Sequence, residues 1–242
     1  MANIAMLGYG VVGSGVAELI SKNRYKFKDE LDEELVISKI LVRNIDKHIN
    51  NKNRGLLTEN IEDIFNEKVD IIVEAMGGIN PSYDYIKRAL NAKKHVVTAN
   101  KDLIAERGYE LLQLAKKNGV TIHFEASVGG GIPILKSMNE CLVGNEIKSI
   151  RSILNGTTNF ILSKMSHNGM SYEEALKLAQ ELGFAEANPE SDVKGYDSAR
   201  KLAILSTIAY NRRIDWKDIN IEGITQIDSD DFRYAQMKKC SI

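Results

Sequence analysis

The chain has 242 residues, 43% of them hydrophobic and 27% charged, with a formal net charge of −1. That length holds one large domain or two ordinary ones, and the composition is that of a globular protein with a substantial core. The near-neutral balance excludes a basic field for nucleic acid, and Cys141 and Cys240, in no CxxC or Cys/His pattern, exclude a zinc site or a disulfide framework.

The N-terminal "MANIAMLGYG" has no basic segment ahead of an apolar core, and no apolar run approaches about 18 residues. A cytoplasmic protein without a membrane span is expected. "NIAMLG" (3–8) is a short apolar run ending in glycine, as in a buried strand. It leads into "GYGVVG", where Gly8, Gly10 and Gly13 keep GxGxxG spacing, and Val12, Val16, Leu19 and Ile20 then recur at helical spacing. Strand-like runs follow at "LVISKILV" (35–42), "VDIIVEA" (69–75), "KHVVTA" (94–99) and "VTIHFEA" (120–126), with helical segments between most of them. Pro81 suits the first turn of one helix and Gly119 the C′ position of another. Strands alternating with helices predict an α/β fold of Rossmann type, a doubly wound parallel sheet covered on both faces.

GxGxxG after a strand and opening a helix is the context that dinucleotide binding requires; a glycine-rich turn is the competing reading. Gly8 turns the chain, Gly10 lets backbone approach a pyrophosphate, and Gly13 lets helix pack on strand, with the helix N-terminus facing the phosphates. After the second strand an NAD site usually offers an acid for the ribose 2′-hydroxyl. Here Arg43 and Asn44 stand in "VRN", and a guanidinium suits the 2′-phosphate of NADP, with an exposed loop arginine as the alternative. The polar "NIDKHINNKNRG" beyond it reads as a loop.

After residue 126 the pattern changes, and a domain boundary is expected near 127, giving 1–126 and 127–242. "SVGGGIPIL" is a glycine-rich bend, "NEIKSIRSIL" (145–154) reads as a strand, and "NGTTNFILSKM" as a loop and then a helix. Ser171 and Glu174 form a capping box for a helix running to about Leu182 that Gly183 closes. "FAEANPESDVKG" is an acidic loop. In the helix that follows, Asp197 and Lys201 share a face with Ile204, Leu205 and Ile208. An i,i+4 surface salt bridge is one reading; the apolar continuation of that face favours an acid and a base aimed inward. No internal repeat or low-complexity segment is present, and His48, His95, His123 and His167 show no ligand spacing.

In order, "GYGVVGSG" (8–15), "VVTANK" (96–101), "EASVGGGIPI" (125–134), "LNGTTNFILS" (154–163) and "GFAEANPESDVKGYDSARK" (183–201) cover nearly the whole chain, and with them the sequence resembles the homoserine dehydrogenases. The resemblance implies reversible oxidation of L-homoserine to L-aspartate 4-semialdehyde with NADP or NAD, on a nucleotide domain joined to an α+β catalytic and dimerisation domain. Lys201 matches the family's proton-transfer lysine, and Lys101 a second active-site lysine beside the nicotinamide. Glu186 and Asp197 match the carboxylates that hold homoserine. The implied cofactor site takes in Gly8, Gly10, Val11, Val12, Gly13, Arg43, Thr98 and Lys101, with Gly183 as a backbone contact. The carbonyls of Glu125, Val128, Gly130 and Ile132 match those that bind a monovalent cation, usually sodium, as hard oxygen ligation would; a bend without an ion is the alternative. Asn188 stands where many members carry aspartate. A homodimer is implied, with no nucleic-acid or membrane partner. The chain stops at Ile242, ahead of further strands that such catalytic regions carry, so the second domain is expected to be incomplete. A fragment that binds the dinucleotide without turnover is therefore the competing function, and a dinucleotide-sensing DNA regulator, lacking a basic face, a third.

Overall fold

The computed structural model describes residues 1–242 and falls into two compact units, Met1–Val143 and Gly144–Ile242. The segment 127–143, expected in the second domain, belongs to the first unit.

In the first unit β1 (Ala2–Leu7) leads to α1 (Val11–Lys22), then α2 (Arg24–Leu31) and β2 (Leu35–Leu41). Next come β3 (Leu57–Thr58), α3 (Ile61–Asn66), β4 (Ile71–Glu74), α4 (Ser82–Asn91), β5 (His95–Thr98), α5 (Lys101–Asn118) and β6 (Ile122–His123). The sheet runs β3-β2-β1-β4-β5-β6, every pair parallel. β1 lies centrally, so the β1–α1 turn opens at the point where strand order reverses, the place where open α/β sheets bind ligands. Ile4, Met6, Ala17, Ile40, Val42 and Leu57 pack together beneath that turn.

The structure adds to the expected strands and corrects them. β3 lies just past the expected loop and is held by the Val42 N–H donating to the Thr58 carbonyl at 2.8 Å; two residues are too few to show a period in sequence. The loop itself contains 3₁₀ turns at Ile45–His48 and Arg54–Leu56. β5 is covered on one side only: Val96 and Thr98 are buried, while His95 and Val97 are exposed. Pro81 precedes the first turn of α4, at its N-cap, and Gly119 ends α5 at φ +70°, the left-handed conformation its C′ role requires.

Past β6, a 3₁₀ turn (Glu125–Ser127) and a glycine bend lead to α6 (Ile134–Lys136), which widens into an i→i+5 turn over Ser137–Cys141. The second unit has no strand; it contains α7 (Gly156–Asn168), α8 (Tyr172–Glu181), α9 (Glu190–Val193), α10 (Tyr196–Ala209), a 3₁₀ turn at Trp216–Asp218 and α11 (Ser229–Met237). Ile161, Met165, Ala175, Ala179, Val193 and Phe232 form its core. The strand expected over 145–154 is not formed, because no neighbouring strand supplies a ladder, and most of the segment is exposed. The segment 155–165 does not open with a loop, since Gly156 is already helical. Asn155 caps that helix directly, its Oδ1 accepting from the Thr158 N–H at 2.8 Å. No helix is long and apolar enough to cross a membrane.

Candidate active site

In the first unit the glycine motif behaves as its spacing requires. Gly8 has φ +97°, and a Cβ there would lie 2.7 Å from the Ala75 carbonyl oxygen. A Cβ on Gly13 would lie 2.3 Å from the Gly8 oxygen, so helix and turn touch backbone to backbone, while the space over Gly10 is open. Val11 and Val12, in the first turn of α1, are exposed. Their side chains bury little; what that turn offers is its unpaired N–H groups and the positive end of the helix dipole.

The turn forms one wall of an open cleft of about 550 Å³, whose other walls include Arg43, Lys47, His48, Met76 and Gly77. Arg43 and Lys47 are exposed and engage no carboxylate. Two free cations thus face the cleft. His48 meets the Tyr9 ring edge-on at 5.7 Å, and the Tyr9 hydroxyl accepts from Asn53 Nδ2 at 2.8 Å, which ties the segment after β2 to the glycine turn.

At the end of β4, Glu74 is 1% exposed without a cation beside it. Its Oε1 accepts from the Met76 and Gly77 N–H groups and from Ser82 Oγ, and its Oε2 from Thr98 Oγ1 at 2.5 Å. Such donors are what a buried carboxylate needs. Thr98 is consequently turned inward: its hydroxyl donates to Glu74 and accepts from the Asn100 N–H at 3.0 Å, so only its backbone is left for a ligand. Asn100 caps α5 through the Leu103 N–H and donates to the Gly78 carbonyl at 2.6 Å. Lys101 follows as the first residue of that helix, partly buried.

In the glycine bend, the Glu125 and Ile132 carbonyls each accept one backbone N–H, from Val128 and Ile134, whereas those of Val128 and Gly130 accept none. The Glu125 carboxylate accepts from the Leu135 and Lys136 N–H groups at 2.7 and 2.8 Å, capping α6. Its carbonyl and carboxylate therefore have separate tasks. An all-oxygen set with open lone pairs fits a hard monovalent cation.

In the second unit the charged face of α10 points inward. Asp197 is 1% exposed and the Lys201 side chain 16%, and Ile204 and Leu205 continue that face into the core. Lys201 Nζ lies 2.7 Å from Asp197 Oδ2 and donates to the Leu154 carbonyl at 2.8 Å. Burial on this scale rules out the surface salt bridge. An ammonium has three donors; two are engaged here, and the third has no protein acceptor. Asn155 Nδ2 donates to Asp197 Oδ2 at 2.9 Å and to Asp192 Oδ1 at 2.6 Å. Asp192 and Leu154 also line a groove of about 460 Å³ with Gly195 and Glu222.

Glu186 does not join this network. It is exposed on the loop after α8, and it is its carbonyl, not its carboxylate, that Gln180 Nε2 engages at 3.2 Å. Gly183 opens that loop at φ +76°, and Asn188 Oδ1 accepts from the Glu190 N–H at 3.2 Å just ahead of α9. The loop is fastened to α7 by Thr157 Oγ1, which donates to the Phe184 carbonyl at 2.6 Å, and by stacked Phe160 and Phe184 rings.

Sequence reasoning missed Asn155, Asp192, Lys47, His48 and Glu74. Asn155 and Asp192 were inside stretches already singled out, but as a turn residue and one acid among several. Their contacts cross 37 and 42 positions, a separation that no local period reports.

Two family models divide the chain. The NAD-binding domain of homoserine dehydrogenase matches residues 8–125, and the homoserine dehydrogenase model matches 133–242. Homoserine dehydrogenase of Bacillus subtilis is 45% identical over 235 residues, 96% of this chain and 54% of that protein. The chain spans about half the length of the curated relatives it matches. A crystal structure of a homoserine dehydrogenase from Thiobacillus denitrificans superposes with a TM-score of 0.91 at 40% identity, over 98% of this chain and 55% of that one. A hyperthermophilic archaeal homoserine dehydrogenase in complex with NADPH superposes at 0.82 with 30% identity, over 94% and 75% of the two chains. With dinucleotide-turn geometry in one unit, a buried acid–amine pair in the other, and relatives along its whole length, the chain belongs to the homoserine dehydrogenase family.

Proposed function

We propose that the protein interconverts L-homoserine and L-aspartate 4-semialdehyde with NADP or NAD. The observation that carries this reading is the Lys201 amine, held by Asp197 and the Leu154 carbonyl with its third donor direction open. A bound nicotinamide supplies or accepts the hydride. In the reducing direction Lys201 donates a proton to the aldehyde oxygen as negative charge develops there; in oxidation it takes the hydroxyl proton back. Asp197, nearly sealed from solvent, is better suited to holding Lys201 than to meeting the substrate's ammonium group directly. Glu186, exposed on its loop, is the carboxylate for that ammonium, and Lys101 is a second amine for the same chemistry.

Gly8, Gly10, Val11, Val12 and Gly13 would seat the pyrophosphate, with Gly183 as a further backbone contact. Arg43 and Lys47, unpaired in the cleft, favour the 2′-phosphate of NADP; the archaeal relative is in complex with NADPH. The test is homoserine turnover by the full chain, read by the ultraviolet absorbance of reduced nicotinamide with each dinucleotide. Dinucleotide binding without turnover would leave a nucleotide-binding module instead.

The same reading includes a sodium ion on the carbonyls of Glu125, Val128, Gly130 and Ile132, supported by the two that accept no hydrogen bond. Replacing sodium chloride by tetramethylammonium chloride should lower the melting temperature; identical melting in both salts rejects the ion. A homodimer through the second unit, which leaves the segment 145–154 exposed, is checked by sedimentation.

A further inference from the structure

Asn155 has a wider reach than capping a helix requires. It is 5% exposed, and its amide is fully used: Oδ1 accepts from the Thr158 N–H and hydroxyl, and the two Nδ2 hydrogens reach Asp192 and Asp197. The reverse orientation would set oxygen against two carboxylates and NH₂ against an N–H, so the side chain has one allowed position. Asp197 Oδ2 is therefore fixed from two sides, by Asn155 and by Lys201. Leu154, the adjacent residue, supplies the carbonyl that holds Lys201. One short segment ahead of α7 thus fixes both members of the buried pair, and its neutral amide lets two acids share a donor without adding a charge.

We propose that Asn155 is a positioning residue for the reaction read above: through Asp197 it fixes where the Lys201 amine points, and it ties Asp192 to the same network. The inference rests on the proposed function.

Asn155→Ser separates positioning from capping. Serine is a good N-cap but too short to span both carboxylates. In the full chain, Asn155→Ser should melt above Asn155→Ala, showing the cap restored. Its kcat should nevertheless fall about 100-fold, as for a reacting group displaced by about 1 Å, with dinucleotide affinity unchanged. Asn155→Asp, which keeps the cap and the size but cannot donate, should lose kcat likewise. Peptide mapping after acylation with an amine-reactive ester, which needs no turnover, should show Lys201 labelled several-fold faster in both variants. Serine restoring kcat and labelling along with the melting temperature would make Asn155 a cap and nothing more. Loss of kcat with Lys201 labelling unchanged would overturn the proposal equally. Should the parent chain fail to oxidise homoserine, the proposed function falls and the labelling comparison alone decides the role of Asn155.

Discussion

Asp197 lies in an almost dry place, where Lys201 and Asn155 both bind it, and it stands in the first turn of α10, where the helix dipole favours an anion. The pair is therefore tuned to one partner geometry. In Lys201→Arg the charge survives, but a guanidinium is wider and does not release its proton. We expect kcat for homoserine to drop at least about 100-fold, with dinucleotide affinity within about twofold in a fluorescence titration. Turnover near the parental rate would make Lys201 a structural charge and shift the role to Lys101. Arg43 is the opposite kind of residue, exposed and unpaired, and its removal leaves nothing buried behind. Arg43→Ala should weaken NADP binding about tenfold, the loss of one charge-assisted contact, and leave NAD binding alone. Equal loss for both dinucleotides would reject Arg43 as the 2′-phosphate contact.

Among the elements, α8 has its beginning written most completely in sequence. Ser171 Oγ accepts from the Glu174 N–H at 3.2 Å, and the Glu174 carboxylate accepts from the Ser171 N–H at 2.9 Å. Ser171→Ala should cost about 1 kcal/mol in denaturant unfolding. The Ser171 backbone N–H, and then its hydroxyl, hold the Glu174 carboxyl below the usual carboxylate range. A depressed folded-state value gives stability that is present above the ordinary glutamate range and is lost as pH falls through the lower value. Glu174→Gln should therefore lower stability at neutral pH and leave strongly acid pH little changed, which flattens the acid limb of the stability curve. The segment 145–154 is the counterexample, since a strand-like sequence becomes a strand only where another strand's N–H and C=O groups meet it.

For the molecule as a whole, the first unit offers a testable binding surface apart from any turnover. Adding NADPH at about 100 times its Kd should stabilise it by about 2.7 kcal/mol, read as a rise in melting temperature. Gly13→Ala should abolish that rise, because its Cβ would meet the Gly8 oxygen at 2.3 Å and force α1 away from the turn. A normal NADPH shift in this variant would place the dinucleotide elsewhere. The sequence by itself determined the parallel sheet, the glycine turn, the Arg43 position, the α8 cap and the inward face of α10, because each is a local period or a steric demand within a few residues. Tertiary structure alone decided that 127–143 packs with the first unit, that β5 is open on one side, and that Thr98 turns inward to Glu74. It also decided that Glu186 stands apart while Asn155 joins Asp192, Asp197 and Lys201. The reason is physical: burial and hydrogen-bond partnership are set by groups far apart in the chain, and a side chain's role follows from what fills the space around it.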